Sequence, residues 1–315
     1  MTPPAETVAI AMGVHVLDVL VRPVEEIPEG QGGQLVEEIR VTPAGSAGGT
    51  AVTLAKLGAV TRSAGAIGTD AAGDMLLALL ESHDIDTSLL VRREDVQTSA
   101  SVLPIRPNGD RPAFHVVGAN GTYGPADAPW EAMAAADHLH LGGPEFMGGE
   151  AAAEILSYAR DHQVVTSADV LAPGEPALLE WITPALPHLD YLLPNDEQVL
   201  ALTGADDLGD GARALVGLGV GCVVATCGAD GALIVDAESE QRVPAFTVDV
   251  VDTTGCGDAF SAGFLRGLSL GRSRSEAATL GCAAAALVAQ GLGSDHGDFD
   301  LAAVEAFASE GGASV

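Results

Sequence analysis

Residues 251–264 read VDTTGCGDAFSAGF, a glycine-rich turn that runs into an apolar segment with helical spacing. Gly255 and Gly257 carry no side chains, so the backbone N–H groups at the start of this helix would be accessible. Such N–H groups, together with the helix dipole, form a binding site for an anion. Asp258 falls in the first turn, and a carboxylate beside an anion site suggests a residue that handles a proton. The same spacing also fits a plain glycine-rich turn followed by an ordinary acidic residue.

The stretch resembles the D-T-x-G-A-G-D signature of the ribokinase (PfkB) family of small-molecule kinases, with Cys256 in place of the usual alanine. The resemblance covers roughly residues 7–293. It implies that Asp258 is the catalytic base for the substrate hydroxyl. It also implies that the backbone amides of Gly255, Cys256 and Gly257 form the anion hole for the transferring phosphoryl group. The Cys256 thiol is expected to play no part in the chemistry.

The composition excludes several classes of protein. The chain has 315 residues, 47% of them hydrophobic, which suffices for one large α/β core or two smaller ones. Its net charge of −30 argues against nucleic-acid binding, because phosphate contacts need clustered Lys and Arg. No apolar run approaches the ~18 residues of a membrane helix, and the N-terminus lacks the basic start of a signal peptide. We therefore expect a cytoplasmic protein with neither membrane nor nucleic-acid partners.

Cofactor-binding motifs of other families are absent from the sequence. The four cysteines form no C-x-x-C pair, which gives no support to a disulfide framework or a zinc site. The chain has one lysine, Lys56, and no G-x-x-x-x-G-K-[ST] surrounds it, so a P-loop is excluded. No G-x-G-x-x-G follows the first apolar run at 8–13, which argues against a dinucleotide-binding domain.

The rest of the sequence predicts an α/β fold. Residues 8–13 form an apolar run typical of a buried parallel strand, and from Arg62 onward predicted strands alternate with helices. Such alternation with short connections predicts a parallel, doubly wound sheet. The family resemblance implies a ribokinase-like fold, with one kinase domain over residues 1–315 and a mostly parallel central sheet flanked by helices.

Two segments, about 19–43 and 97–119, predict a small β lid like that of the ribokinase family. The first contains an alternating run at 34–41, which suits a strand with one solvated face. The second contains two short apolar runs around Asn108-Gly109, a strong signal for a hairpin. The resemblance further suggests a homodimer formed through the lid.

Three residues are expected at the substrate. Asp18 follows the first predicted strand, at the edge where ligands of α/β sheets bind, and the matching family Asp binds substrate hydroxyls. A loop Asp that hydrogen bonds to its own backbone is the alternative. Gly45 matches the family's G-G-x-x-x-N segment, but Gly49 stands where the family has the Asn that contacts ring hydroxyls. Without that Asn, we expect a substrate with a bulkier or less hydroxylated edge than a free hexose.

The nucleotide and metal sites are expected from three further matches. Residues 192–198 resemble the family's N-x-x-E motif, which organises Mg²⁺ through water. Asn195 is in register, but the fourth position is Gln198 and the acid comes one place early, at Glu197. An amide brings no charge to a metal, and Asn195 with its neighbour could instead cap a helix. The match to the family's T-x-G-x-x-G segment makes Thr226, Gly228 and Gly231 candidates for ATP contact. Several members of the family have a monovalent-cation site, and the resemblance implies that Asp252 and Thr254 border such a site for an ion such as K⁺.

These features predict an ATP-dependent phosphotransferase that uses Mg²⁺ and transfers the γ-phosphoryl group to an alcohol of a sugar or sugar-containing small molecule. A nucleoside kinase on the same fold is the first alternative, and a substrate panel would separate the two. A non-catalytic ligand sensor is the second alternative, which ATP binding without ADP production would favour. The intact Asp258 and its glycine-rich turn argue against the sensor.

Overall fold

The computed structural model describes residues 6–107, 110–172 and 174–311. The strands are β1 Val8–Gly13, β2 Val16–Arg22, β3 Glu38–Ala44, β4 Val60–Gly68, β5 Asp86–Arg93, β6 Ala100–Pro104, β7 Phe114–Val116, β8 His138–Gly142, β9 Val165–Asp169, β10 Tyr191–Leu192, β11 Cys222–Thr226, β12 Ala232–Asp236 and β13 Glu240–Val243. The helices are α1 Ser46–Lys56, α2 Ala71–Glu81, α3 Trp130–Ala134, α4 Gly149–Asp161, α5 Pro176–Ile182, α6 Asp196–Thr203, α7 Leu208–Gly217, α8 Cys256–Ser269, α9 Arg274–Val288 and α10 Leu301–Gly311.

Nine strands form the central sheet, in the order β13-β12-β11-β10-β9-β8-β1-β4-β5. The strands from β11 to β5 pair in parallel, whereas β12 and β13 extend one edge as antiparallel strands. Successive side chains of β1 point to opposite faces: Ile10 belongs to the apolar cluster that includes Leu156 of α4, and Ala11 to the cluster that includes Ala51 of α1. Helices therefore cover both faces, and the predicted fold class is confirmed.

A second sheet of four strands, in the order β3-β2-β6-β7, lies apart from the central one. Its register aligns side chains in rows across all four strands. One row is polar and consists of Thr42, Asp18, Ser101 and His115. The next row is apolar and consists of Val41, Val19, Val102 and Phe114. Because neighbouring positions of a strand face opposite sides, the two rows lie on opposite faces of this sheet, which we call the lid.

The lid strands lie largely in the two segments that the sequence assigned to a β lid, although β2 begins earlier, at Val16. The alternating run at 34–41 predicts a strand that begins too early, because β3 begins at Glu38 and continues to Ala44. Strands β6 and β7 pair antiparallel, as the hairpin pattern predicted, while the turn residues Asn108 and Gly109 lie outside the described residues. Within the described ranges, none of the helices combines the length and apolar character needed to cross a membrane.

Candidate active site

A cavity of about 560 Å³ lies between the lid and the carboxyl ends of the central strands, and we call it the substrate cavity. Its position follows from the fold, because ligands of open α/β sheets bind at the carboxyl edge. The polar row of the lid faces it through Asp18, Ser101 and His115. The central domain contributes Asp169, at the end of β9, and Asp258, in the first turn of α8, to the lining of the same cavity.

The anion site predicted at residues 251–264 lies at the start of α8, where a glycine turn precedes the helix. Gly255 precedes α8 with φ of 79°, a left-handed conformation that glycine adopts without strain. A Cβ atom at Gly255 would overlap Ser294, so the turn also depends on close packing against that residue. The thiol of Cys256 is partly buried, which raises its pKa to about 12 and keeps it protonated. The thiol of Cys256 is therefore inert near neutral pH, and its backbone amide donates a hydrogen bond to the carbonyl oxygen of Thr253 at 3.3 Å.

Asp258 is surrounded by groups that favour its protonated form. Burial raises its pKa well above the ordinary value for a carboxyl, and the nearby carboxylates Asp169 and Asp18 raise it further. Arg111 opposes these effects. A carboxyl group with a raised pKa accepts a proton more readily than an ordinary aspartate. The carboxylate of the predicted base thus has a raised proton affinity, and Arg111 favours the ionised form in which it can accept a proton.

Asp18 lies on the polar row of the lid and is only 7% exposed. Burial raises its pKa to about 6, although Ser101 and Arg111 partly offset the shift. The Oδ1 atom is buried and has no hydrogen-bond partner among the described residues. An unsatisfied buried acceptor is costly, so a ligand hydroxyl that donates to this atom would relieve the cost.

The two glycines expected at the substrate occupy different places. Gly45 lines the substrate cavity directly before α1, with φ of 81°. Gly49 is buried in α1 and is not among the residues that line the cavity. A Cβ atom at Gly49 would lie 2.7 Å from Cγ of Asp258 and would overlap Oδ2. The space left by the missing side chain is therefore occupied by the carboxylate of Asp258.

The N-x-x-E-like segment forms the start of α6. Asn195 and Gln198 make a capping box, in which Oε1 of Gln198 accepts a hydrogen bond from the Asn195 amide at 2.9 Å. The Nε2 group of Gln198 donates to the carbonyl oxygens of Val170, at 2.7 Å, and of Ala172, at 3.3 Å. Both ends of the amide are therefore bound to the backbone. Glu197 is exposed and is not among the residues that line the cavity.

A second cavity, of about 350 Å³, adjoins the first, and we call it the nucleotide cavity. The predicted ATP residues Thr226, Gly228 and Gly231 all line it, together with an apolar wall from α9 and the 245–250 segment. Gly257, Thr253 and Thr226 line both cavities. The two cavities therefore meet at the start of α8, beside Asp258.

Asp252 and Thr254 are buried beneath the anion site. Oδ1 of Asp252 accepts hydrogen bonds from the amide and the hydroxyl of Thr254, at 3.0 and 2.8 Å. Oδ2 accepts a hydrogen bond from the amide of Gly293 at 3.0 Å. The carboxylate of Asp252 therefore fixes both the turn that carries the anion site and the chain segment behind it.

Two residues of the site were not among the sequence candidates. Arg111, in the lid between β6 and β7, donates a hydrogen bond from Nη1 to Oγ1 of Thr254 at 2.9 Å and lines the substrate cavity. Asp169 has an Oδ1 atom without a hydrogen-bond partner, 3.6 Å from Nε2 of the buried His140. Asp169 follows a predicted strand, so the rule that ligands bind at strand ends could have identified it. Nothing in the local sequence marks Arg111.

The described part of the chain contains no group of three or more His, Cys, Asp and Glu residues arranged to hold a metal ion. The carboxylates that line the substrate cavity are Asp18, Asp169 and Asp258. A hard cation such as Mg²⁺ takes oxygen ligands and usually shares them between one or two carboxylates and the phosphates of a nucleotide. The donor set therefore suits a Mg²⁺ ion that arrives with the nucleotide.

Comparison with known proteins agrees with this geometry. The family model of pfkB family carbohydrate kinases matches residues 13–298. An ATP-dependent ribose-1-phosphate kinase from Halopiger xanaduensis is 30% identical over 254 residues, which are 79% of this chain and 80% of that protein. An aminoimidazole riboside kinase from Salmonella typhimurium is 28% identical over 259 residues, 78% of each chain.

Among solved structures, an Escherichia coli structure described as ribokinase II in complex with ATP and Mg²⁺ gives a TM-score of 0.84 at 20% identity. The match covers 97% of this chain and 99% of that one, so the two proteins share their fold over nearly their whole lengths. The predicted kinase activity is confirmed by the family, and the chain belongs to the pfkB family of carbohydrate kinases, which use ATP to phosphorylate an alcohol of a sugar or nucleoside.

Proposed function

We propose that Asp258 accepts the proton of the substrate hydroxyl at the junction of the two cavities. The observation that carries the proposal is that Gly257, one residue before Asp258, lines both cavities. The hydroxyl oxygen would attack the γ-phosphorus of ATP, its proton would pass to Asp258, and the bond to the ADP oxygen would break. The amides of Gly255 and Gly257 would hold the phosphoryl oxygens as their charge develops, and the amide of Cys256 would join them by exchanging its hydrogen bond to Thr253 for one to phosphate.

Arg111 supplies positive charge to the same reaction. It is the one Arg or Lys among the residues that line the substrate cavity, and its hydrogen bond to Thr254 ties the lid to the anion site. A guanidinium group binds phosphate oxygens through several parallel N–H donors. We assign Arg111 to the transferring phosphoryl group, which it would reach only when the lid lies over the cavity.

Mg²⁺ would enter with the nucleotide and neutralise phosphate charge. The unpartnered Oδ1 of Asp169 and the carboxylate of Asp258 are the acceptors that could hold it, directly or through water. The amide of Gln198 does not fit this role because both of its ends are bound to the backbone. Glu197 stands outside the cavity lining, so we propose Asp169 in place of both.

A monovalent cation beside Asp252 and Thr254 does not fit the donor set. The two carboxylate oxygens of Asp252 already accept three hydrogen bonds from the protein, and the hydroxyl of Thr254 is bound by both Asp252 and Arg111. A K⁺ ion at this point would compete with these N–H and O–H donors for the same oxygens. We propose that turnover needs no K⁺.

The substrate is a sugar with an uncharged substituent, and a nucleoside is the class that fits best. The lining of the substrate cavity includes the apolar residues Val16, Leu103, Ala113, Phe146, Leu171 and Ala172. Its Asp, Glu, Lys and Arg residues are three aspartates and one arginine, so a phosphate group on the substrate would meet mostly negative charge. These apolar residues, rather than Gly49, support the expectation of a bulky, less hydroxylated edge.

An ADP-release assay over ribose, ribose 1-phosphate, cytidine, adenosine and aminoimidazole riboside tests this substrate class. We expect the highest kcat/KM for a nucleoside or the riboside, a lower value for ribose and the lowest for ribose 1-phosphate. Asp258→Asn is the control, and it should lower turnover at least ~10²-fold while ATP affinity changes little, because an amide cannot accept the proton. A highest kcat/KM for ribose 1-phosphate or free ribose would refute the nucleoside class.

The lid also provides a surface for self-association. Its outer row, formed by Val41, Val19, Val102 and Phe114, is apolar across all four strands. Phe114 is 61% exposed and Val102 45% exposed in the single chain. We propose that two lids pack through this row in a homodimer.

A further inference from the structure

Lys56, the single lysine of the chain, ends helix α1 with its ammonium group against a loop near the C-terminus. Its Nζ donates hydrogen bonds to three carbonyl oxygens, those of Asp295 at 2.7 Å, His296 at 3.1 Å and Gly297 at 2.6 Å. The ring of Phe299 lies 4.6 Å from Nζ, a cation–π contact. All three donors of the ammonium group are therefore used on consecutive carbonyl oxygens of one loop.

Residues 293–297 form that loop, which we call the support loop, and it lies directly behind the anion site. The amide of Gly293 donates to Oδ2 of Asp252, whose other oxygen holds the Thr254 amide. Ser294 packs against Gly255 so closely that a Cβ on the glycine would overlap it. A shift of the support loop would therefore move the backbone that binds the phosphoryl group.

The support loop is also tied to the lid. The carboxylate of Asp295 accepts hydrogen bonds from Arg40 at 2.9 Å and from Thr42 at 2.8 Å, both on β3. The hydroxyl of Ser294 donates to the carbonyl oxygen of Pro43 at 2.6 Å. One short loop thus joins helix α1, the lid and the anion site.

Three converging carbonyl oxygens repel one another unless a cation lies between them. Here the cation is the ammonium group of Lys56, which is covalently attached to the protein. Carbonyl oxygens elsewhere can bind a free ion instead, as they coordinate K⁺ in the filters of ion channels. We propose that Lys56 is a positioning residue whose ammonium group, acting as an internal cation, holds the support loop against the anion site. The inference rests on the proposed role of residues 252–258 in holding the phosphoryl group.

The charge of Lys56 depends on pH within the working range. Burial lowers its pKa to about 8; Arg40 lowers it too, while Asp295 and Asp298 raise it. Two imidazoles also lie against this part of the loop. Nε2 of His83 is 3.9 Å from Oδ2 of Asp295, and burial lowers the pKa of His296, so that His296 is neutral where Lys56 titrates. As the pH rises through about 8, Lys56 loses its charge, and the loop loses its cation.

Three variants test the inference: Lys56→Met, Lys56→Arg and, as a control, Arg213→Met, which removes an exposed cation from α7. We expect Lys56→Met to lower kcat at least ~10-fold, because small displacements at a reacting centre are costly. NH₄⁺ or K⁺ should restore part of the loss, and tetramethylammonium at equal ionic strength should not. The wild type and Arg213→Met should respond to none of these ions. Lys56→Arg keeps its charge at all working pH values, so its decline in kcat should begin above pH 8, later than in the wild type.

Hydrogen–deuterium exchange provides a readout that does not depend on turnover. In Lys56→Met, peptides from 252–258 and 293–297 should exchange faster, and NH₄⁺ should slow them again. Three results would each overturn the inference. They are exchange in both regions that is equal in Lys56→Met and the wild type, loss of activity that no ion restores, and a decline of kcat at high pH that is the same in Lys56→Arg as in the wild type. If the wild type forms no ADP from ATP with any of the substrates, the proposed substrate class fails. The exchange measurement still decides the role of Lys56 in that case. If Lys56→Met does not fold, the pH profile of Lys56→Arg decides it.

Discussion

Gly49 lies under the carboxylate of the proposed base, Asp258, which occupies the space that a side chain at residue 49 would fill. We expect Gly49→Ala to displace Asp258 and to lower kcat at least ~10²-fold, because the carboxylate has to rotate away from the new Cβ and the backbone has to shift to relieve the 2.9 Å approach to Cβ of Asp258. Gly48→Ala is a matched control in the same buried turn of α1, where the nearest atom, Cδ2 of His15, would lie 3.5 Å from the new Cβ. Equal kcat values in the two variants would contradict this account of Gly49.

Asp18 makes the folded protein less stable at neutral and alkaline pH. Its pKa is about 6 in the folded state against 3.8 ordinarily, so between these values the folded chain binds more protons than the unfolded chain, and stability falls as pH rises. A shift of about two units corresponds to about 3 kcal/mol at 1.36 kcal/mol per unit.

The free energy of unfolding of Asp18→Asn, relative to the wild type, should therefore rise by about 2 kcal/mol between pH 4 and pH 8, since the effect has partly developed at pH 4, while kcat/KM falls. Urea unfolding at the two pH values measures the difference. The exposed Asp161→Asn is the control and should show no such trend. A constant difference between the Asp18 variant and the wild type would mean that Asp18 titrates normally in the folded state.

Several site residues could be predicted from the sequence because their signal is local. The glycines before Asp258 and the capping residues of α6 are adjacent in the chain, and their geometry follows from helix ends. Arg111 could not be predicted, because it reaches Thr254 only after the lid has paired with distant strands. The contact between Gly49 and Asp258 could not be predicted for the same reason, because α1 and α8 lie far apart in the sequence.

At the scale of elements, hydrogen bonds connect the start of α6 to the loop after β9. The Nε2 group of Gln198 donates to Val170 and Ala172, and a carboxylate at this position would face both carbonyl oxygens without a proton to donate. We expect Gln198→Glu to lower the free energy of unfolding by ~1–3 kcal/mol and to leave the Mg²⁺ concentration for half-maximal rate no lower.

Thermal unfolding and Mg²⁺ titration of Gln198→Glu and of the exposed control Glu197→Gln test this expectation. The control should match the wild type in both measurements. A lower Mg²⁺ requirement in Gln198→Glu with unchanged stability would instead place residue 198 in the metal's water shell, as the N-x-x-E resemblance first suggested.

The two rows of the lid show how strand register divides one element between two functions. Alternation along β2 sends Asp18 toward the substrate cavity and Val19 toward the opposite face. The lid segments and the hairpin between β6 and β7 were predictable from alternation and from the Asn-Gly turn signal. The register between β2 and β6 was not, because it is set by pairing between residues 83 positions apart in the sequence.

At the scale of the whole molecule, a net charge of −30 has to be reconciled with a polyanionic nucleotide. The 245–250 segment and α9 give the nucleotide cavity an apolar wall, and the start of α8 and Arg111 contribute positive potential near it. Screening over roughly 8 Å at physiological salt keeps the distant surface carboxylates from dominating at that point. Mg²⁺ bound to ATP lowers the repulsion further.

The same charge determines how the proposed dimer should respond to salt. Two chains of −30 repel each other, while the apolar row of the lid favours contact, so association should strengthen as ionic strength rises. Sedimentation equilibrium at several salt concentrations should show a dimer. Phe114→Glu should abolish it, because burying an unpaired carboxylate in an apolar contact is costly. Met75→Glu, which places the same charge on an exposed position of α2, should leave the dimer unchanged. A wild-type chain that sediments as a monomer at every salt and protein concentration would mean that the apolar row faces water and has another purpose.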